Sequence, residues 1–321
     1  MLFIGYLKKL YAYKPQLYLY FIQTAVNPNQ IMKANILYPA QCLLGEGPLW
    51  HAERNSCFWV DIERGMLFEY HWVSKETKIW KFDGRLTSVC HSMKNGLVLS
   101  LNAGIARFDL TTEKLEWLLD IESEIKNNRC NDAKCDSSGR LWIGTMDMDF
   151  KQGAASLYCI DKNLSIEKKL RNLTISNGMA WTVDNTRMYF IDSPTQTIQS
   201  YSFESISGEI LYERIAVHIP EEMGTPDGMC IDSEGMLWVA HWGGYGVYRW
   251  NPLNSDLLEK IEIPVPHVTS CAFAGENLDH LIITTARGDL NEDELKKYPE
   301  SGNIFILKMK VVGTKPNTCI F

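Results

Sequence analysis

The sequence predicts an all-β fold, a six-bladed β-propeller with four-stranded blades. Three observations predict it. Six short apolar strands of one type recur, at residues 58–61, 97–100, 141–144, 189–192, 237–240 and 281–284. Their last residues are 39, 44, 48, 48 and 44 apart, the period of a propeller blade. A polar turn precedes each strand, as at Ser137-Ser138-Gly139, Asp184-Asn185-Thr186 and Ser233-Glu234-Gly235.

Met1 to Ile31 stands apart from this pattern. It is rich in Tyr and Leu and holds no strand–turn unit. Its most apolar run, residues 17–22, is far short of the roughly 20 residues that span a bilayer. Residues 1–33 are therefore expected to be an N-terminal extension. It reads as a tail, as a signal segment with Ala25 near a cleavage point, or as sequence upstream of a start at Met32. The propeller is expected over residues 34–321.

Within it, the first candidate strand is Asn35-Ile36-Leu37-Tyr38. A ring of blades closes without an open edge when strands from both chain ends share a blade. This strand is the one to complete the last blade beside residues 303–307. Third strands follow at residues 105–109, 156–161 and 246–250, and the more polar residues 209–214 make an outer strand. Helix is expected only as a turn or two at residues 292–298 and one turn at 121–126. Trp59, Trp142 and Trp238 fall in the repeated strands and belong to the core.

Bulk properties narrow the function classes. The 321 residues are 45% hydrophobic, enough for a large core, and the net charge is −7. Without blocks of Lys or Arg, nucleic acid and anionic membrane are not expected partners. The nine Cys are scattered, odd in number and never spaced Cys-x-x-Cys. They read as reduced packing thiols, and the compartment as the cytoplasm. No Gly-x-Ser-x-Gly elbow is present, which disfavours a serine hydrolase.

The first strand of each blade lies at the ring axis. Counting back 12 to 15 residues from each repeated strand's end places Glu46, Ser88, Asn131, Asn177, Asp227 and Ser270 at its start. These six are expected to converge at one mouth of the central channel. Glu46, Asn177 and Asp227 are each followed by Gly. Two carboxylates and an amide in a narrow channel call for a cation, because buried like charges destabilise each other. Oxygen donors suit a hard divalent ion, Ca2+ first, with Mg2+, Mn2+ or Zn2+ as alternatives. Three protein ligands leave positions for water and substrate, the catalytic pattern.

At Gly45-Glu46-Gly47-Pro48-Leu49-Trp50, Asn128-Arg129-Cys130-Asn131-Asp132, Ile175-Ser176-Asn177-Gly178-Met179-Ala180, Pro226-Asp227-Gly228-Met229 and Thr269-Ser270-Cys271, the sequence resembles the SMP-30/gluconolactonase/regucalcin family. The match runs in order from about Asn35 to Val312. The resemblance implies one catalytic divalent metal on Glu46, Asn177 and Asp227, and hydrolysis of sugar lactones to aldonic acids. It implies substrate binding by Arg129 and Asn131. The position where relatives carry a substrate-contacting Glu falls on Asp149, one methylene shorter, in an abbreviated loop over residues 147–153.

On their own terms the residues suit this chemistry. A divalent ion polarises a lactone carbonyl, Asp227 or a neighbouring carboxylate serves as general base, and Arg129 offers donors to ring and hydroxyl oxygens. The expectation is a lactonase acting on a small sugar lactone, as monomer or weak dimer. The alternatives are a propeller hydrolase of aryl esters or organophosphates, and a non-enzymatic calcium-binding regulator.

Overall fold

The structure, a computed structural model, describes residues 31–93 and 96–321. The expectations for residues 1–30, and the turn expected at Lys94 and Asn95, lie outside the described residues. Six separate sheets follow one another along the chain. Four are plain four-stranded sheets and two carry a fifth strand. Their innermost strands are Gly45–His51, Leu86–Ser92, Asn128–Cys135, Ser176–Trp181, Thr225–Ile231 and Val268–Ala274.

Burial explains why the strands read as they do. The second strand of the first blade, Ser56–Asp61, is buried at every position, as are Gly96–Leu101 and Leu141–Asp147. Both faces of each sheet pack on neighbouring blades, so these strands are continuous apolar runs with no alternation. The core is accordingly divided into six clusters, one between each pair of adjacent blades. Phe58, Val60, Leu97 and Leu99 join the first blade to the second. Trp59, Phe68, Ile282 and Ile304 join the sixth back to the first. Trp59, Trp142 and Trp238 are fully buried, as expected.

The ring closes where the sequence placed the closure. Asn35–Tyr38 runs antiparallel to Ile304–Lys308, with Asn35 opposite Ile306 and Ile36 opposite Phe305. The preceding strand, Ile31–Lys33, falls within the stretch assigned to the extension. It lies parallel on Leu257–Glu262 at the outer edge of the fifth blade. At the other chain end, Thr318–Cys319 pairs parallel with His91–Ser92, and the Ser92 hydroxyl donates to the Phe321 carbonyl at 2.7 Å. Helix forms at Glu292–Lys297, begun by an Asn291 capping box. The single helical turn expected at residues 121–126 is instead a run of bends and turns.

Two blades share one device for a tight turn beneath a buried Trp. In Asp136-Ser-Ser-Gly-Arg-Leu-Trp142 and Asp232-Ser-Glu-Gly-Met-Leu-Trp238, the Asp carboxylate accepts two turn amides and the indole N–H. The indole bonds are 2.8 and 3.0 Å. Each Asp also pairs with a mostly buried Arg: Asp136 with Arg140 and Asp232 with Arg249, both at 2.7 Å. Every polar group brought inside with the Trp is thereby satisfied. Removing the acceptor at Asp232 strands an indole N–H and two amides, while Arg249 keeps Glu234 and Glu259 as partners. Asp232→Ala is expected to destabilise the protein by about 2–4 kcal/mol, read as a lower urea midpoint, with Asp232→Asn losing less.

Candidate active site

Every innermost strand contains one extra residue against its partner. The register slips between Glu46 and Leu49, Leu86 and Ser88, Cys130 and Ala133, Ser176 and Met179, Pro226 and Met229, and Val268 and Ser270. A bulge bends the strand and re-aims the side chains beside it. Here six bulges fall at the same level of the ring. Four of them bring Glu46, Asn131, Asn177 and Asp227 into the floor of one cavity of about 400 Å3, together with Arg129 and Ser193.

The bulge glycines serve the packing of neighbouring strands. A methyl group on Gly178 would stand 2.7 Å from the Asp227 carbonyl oxygen, and one on Gly228 would stand 2.1 Å from the Ser270 hydroxyl. Glycine lets adjacent inner strands approach closely enough for their side chains to share a site.

A directional chain of hydrogen bonds orients the polar floor. The Ser193 hydroxyl donates to the Pro226 carbonyl at 2.7 Å, so its oxygen accepts from the Asn177 amide nitrogen at 2.8 Å. The Asn177 carbonyl oxygen therefore faces the other way, where Asn131 Nδ2 donates to it at 2.8 Å. Asn131 Nδ2 also donates to the Ser176 carbonyl at 2.8 Å, and its Oδ1 accepts from Arg129 Nη1 at 2.7 Å. Arg129 Nη1 donates as well to the Cys130 carbonyl at 2.8 Å. Because the Pro226 carbonyl can only accept, the orientation of both amides follows from it.

The carboxylates carry the electrostatics. Burial, then the Asp132 charge, pushes Glu46 up to about 8. Burial, then the charges of Glu46 and Asp132, holds Asp227 well above the ordinary carboxylate range. Asp132, in the bulge beside Asn131, is itself raised by burial. Burial lowers Arg129 to about 10, which leaves it a cation at neutral pH. Among the described residues, none of the three carboxylates forms a salt bridge, and no three His, Cys, Asp or Glu side chains are grouped to hold a metal by themselves. The donor set is thus two carboxylates and the oriented Asn177 oxygen. Crowded, half-buried negative charge with oxygen donors fits a hard divalent cation.

The placement of the remaining expected residues differs. Ser88 and Ser270 do not reach this cavity. The Ser88 hydroxyl donates to Ser100 Oγ at 2.7 Å, and Ser270 lines a second cavity further along the axis. Asp149 is not brought together with the others either. Its carboxylate accepts from Asn127 Nδ2 at 3.0 Å, while its neighbours Met148 and Phe150 line the cavity. Asn131 has both amide protons engaged within the protein. Sequence reading missed Ser193, Met148, Phe150 and Trp242. Ser193 had a signal, because it directly follows the repeated strand that pairs with the Asn177 strand.

Known proteins share this sequence pattern and this fold. The SMP-30/Gluconolactonase/LRE-like region model matches residues 44–287. A Bacillus subtilis (strain 168) protein, provisionally named sugar lactone lactonase YvrE, is 35% identical over 89% of this chain and 98% of its own. Regucalcin of Oryctolagus cuniculus is 31% identical over 89% and 97%. Among solved structures, one described as a calcium-binding protein, regucalcin, from Agrobacterium tumefaciens superposes with a TM-score of 0.86. It is 26% identical, and the match covers 90% of this chain and 98% of that one.

The closeness of the inner strands yields a test. Gly178→Ala would push a methyl against the main chain that carries Asp227. We expect destabilisation of about 1–3 kcal/mol in chemical denaturation. An Asp227 main chain able to yield would instead leave stability unchanged.

Proposed function

The chain belongs to the SMP-30/gluconolactonase/LRE-like family, and from that premise we propose that it is a metal-dependent lactonase that opens sugar-type lactones to hydroxy acids. One observation carries the reading. A chain of bonds from Arg129 through Asn131 and Asn177 to Ser193 fixes one amide oxygen in the same substrate-sized cavity that Glu46 and Asp227, two carboxylates without a salt bridge among the described residues, also line. The naming of the Bacillus subtilis relative as a lactone lactonase supports the choice of substrate class.

Glu46, Asn177 and Asp227 would hold the ion, with Ca2+ first in line and Mg2+, Mn2+ and Zn2+ as alternatives. Such an ion supplies positive charge that polarises the lactone carbonyl and acidifies water. The other roles fall to the chain itself. Arg129 keeps its Nε and Nη2 donors for ring or hydroxyl oxygens of the substrate. Asn131 orients both Arg129 and Asn177, and meets substrate only through its oxygen. The Asp227 carboxylate accepts the proton of the attacking water. Water's hydroxyl joins the carbonyl carbon, the ring C–O bond breaks, and the proton passes to the ring oxygen. The product is the open hydroxy acid. Asp149 is left a peripheral part in binding.

Free thiols at all nine Cys suit a reducing setting, and we place the protein in the cytoplasm on that ground. Among the described residues no helix is long and apolar enough to cross a membrane.

Proton release from δ-gluconolactone by metal-stripped protein, with each ion added back separately, tests the reading. Turnover should appear only with a restored ion, and turnover indifferent to chelation would sink it. Asp227→Asn should lower kcat/KM by at least about 100-fold. Ser193→Ala removes the partner that orients Asn177. It should weaken ion binding by about 10–100-fold in calorimetry.

A further inference from the structure

The polar groups of the cavity are concentrated at its floor. Above Glu46, Asn177, Asp227 and Arg129, its walls are built largely from Leu44, Ile62, Met148, Phe150, Ile175 and Trp242. The charged side chains higher up are few. Glu63 and Arg85 neutralise each other, with Arg85 Nε at 2.9 and 3.1 Å from the two Glu63 oxygens, and Asp289 stands at the mouth. Hydroxyl groups of a substrate lying against these walls would lose water and find little to bond.

The 147–153 loop is shaped to place apolar groups here. Asp147 Oδ1 accepts the amides of Asp149 and Lys151 at 2.8 and 3.3 Å, and the Phe150 amide donates to the Asp147 carbonyl at 3.0 Å. The turn sends the Asp149 carboxylate to Asn127 and leaves Met148 and Phe150 lining the cavity. Phe150 holds a φ of 58°, an uncommon conformation for an aromatic residue. It is 60% exposed, and Met148 is 36% exposed. Opposite chemistry does not offset this on the fifth blade: Trp242 lines the same cavity while its ring stacks on His267, with centroids 4.0 Å apart and planes 8° apart. Side chains this large are normally covered, and here they face the space that a substrate enters.

We propose that the preferred substrates are lactones bearing one apolar arm, an alkyl chain or an aryl group. The ester edge of the ring meets the polar floor and the arm lies against Met148, Phe150 and Trp242. The inference rests on the lactonase reading and sharpens it. A lactone with such an arm is a better substrate than a lactone hydroxylated at every carbon, because the arm gains burial where hydroxyls lose hydration. Burial of each further methylene should be felt until the arm outgrows the walls.

The test is a series of δ-lactones with propyl, pentyl and heptyl arms beside δ-gluconolactone, using the full chain with its divalent ion restored. Each buried methylene should raise kcat/KM by about fourfold. Phe150→Ser and Met148→Ser should flatten that dependence, Phe150→Leu should keep most of it, and Leu253→Ser, an exposed apolar site away from the cavity, should leave it intact. Calorimetric binding of δ-lactams with the same arms gives a readout that needs no turnover. A flat or falling series in the wild-type protein, with δ-gluconolactone turned over best, overturns this inference and leaves the lactonase reading standing. Lactam binding that tightens with arm length in a protein that opens no lactone does the reverse.

Discussion

One extra residue in each innermost strand is the constraint on which the site depends. A regular strand would alternate its side chains between the two packed faces of its blade. The bulge breaks that alternation at one level, and the ring repeats the break six times around one axis. Polar residues can then leave the blade interfaces, where they would be buried without partners, and gather in the channel. The floor is a product of strand geometry repeated by rotation, and each blade contributes at most a few groups. Closure of the ring by Asn35–Tyr38 holds the first and sixth blades together and so keeps Glu46 in register with the rest.

The hydrogen-bond chain adds direction to that position. An isolated Asn side chain can present either its oxygen or its nitrogen. Here the Pro226 carbonyl orients the Ser193 hydroxyl, the hydroxyl orients Asn177, and Asn177 orients Asn131. Three inner strands and the short 3-10 turn Ser193–Thr195 thus agree on where an oxygen faces. This is a rigid way to prepare a cation site, since reversing one amide would leave several buried groups without partners.

Floor and walls divide the labour of recognition. The floor supplies negative charge and oriented oxygen for an ion and the reacting ester, and these groups sit on strands. The walls come in large part from connections between strands, such as the 147–153 loop, and vary without disturbing the ring. The two Asp-centred turns beneath Trp142 and Trp238 lie within the blades and keep large aromatic rings packed with all their polar neighbours satisfied. Stability and specificity are therefore written in different parts of each blade.

The six-fold repeat, the closing strand and the convergence of Glu46, Asn177 and Asp227 on one cavity were legible in the linear pattern. Those features are local: apolar runs, turn residues and a polar–Gly pair at a fixed offset carry them. Its reading of six converging side chains held for four, because Ser88 and Ser270 settle elsewhere along the axis. Ser193 went unnoticed, since its role comes from a neighbouring blade's carbonyl 33 residues away in sequence. Packing between blades settles which way Asn131 and Asn177 turn, that Asp149 faces Asn127 while Phe150 lines the cavity, and that the walls are largely apolar. Orientation and wall composition depend on contacts between blades, and a linear pattern holds the composition of each strand but not the direction in which its groups meet those of the next.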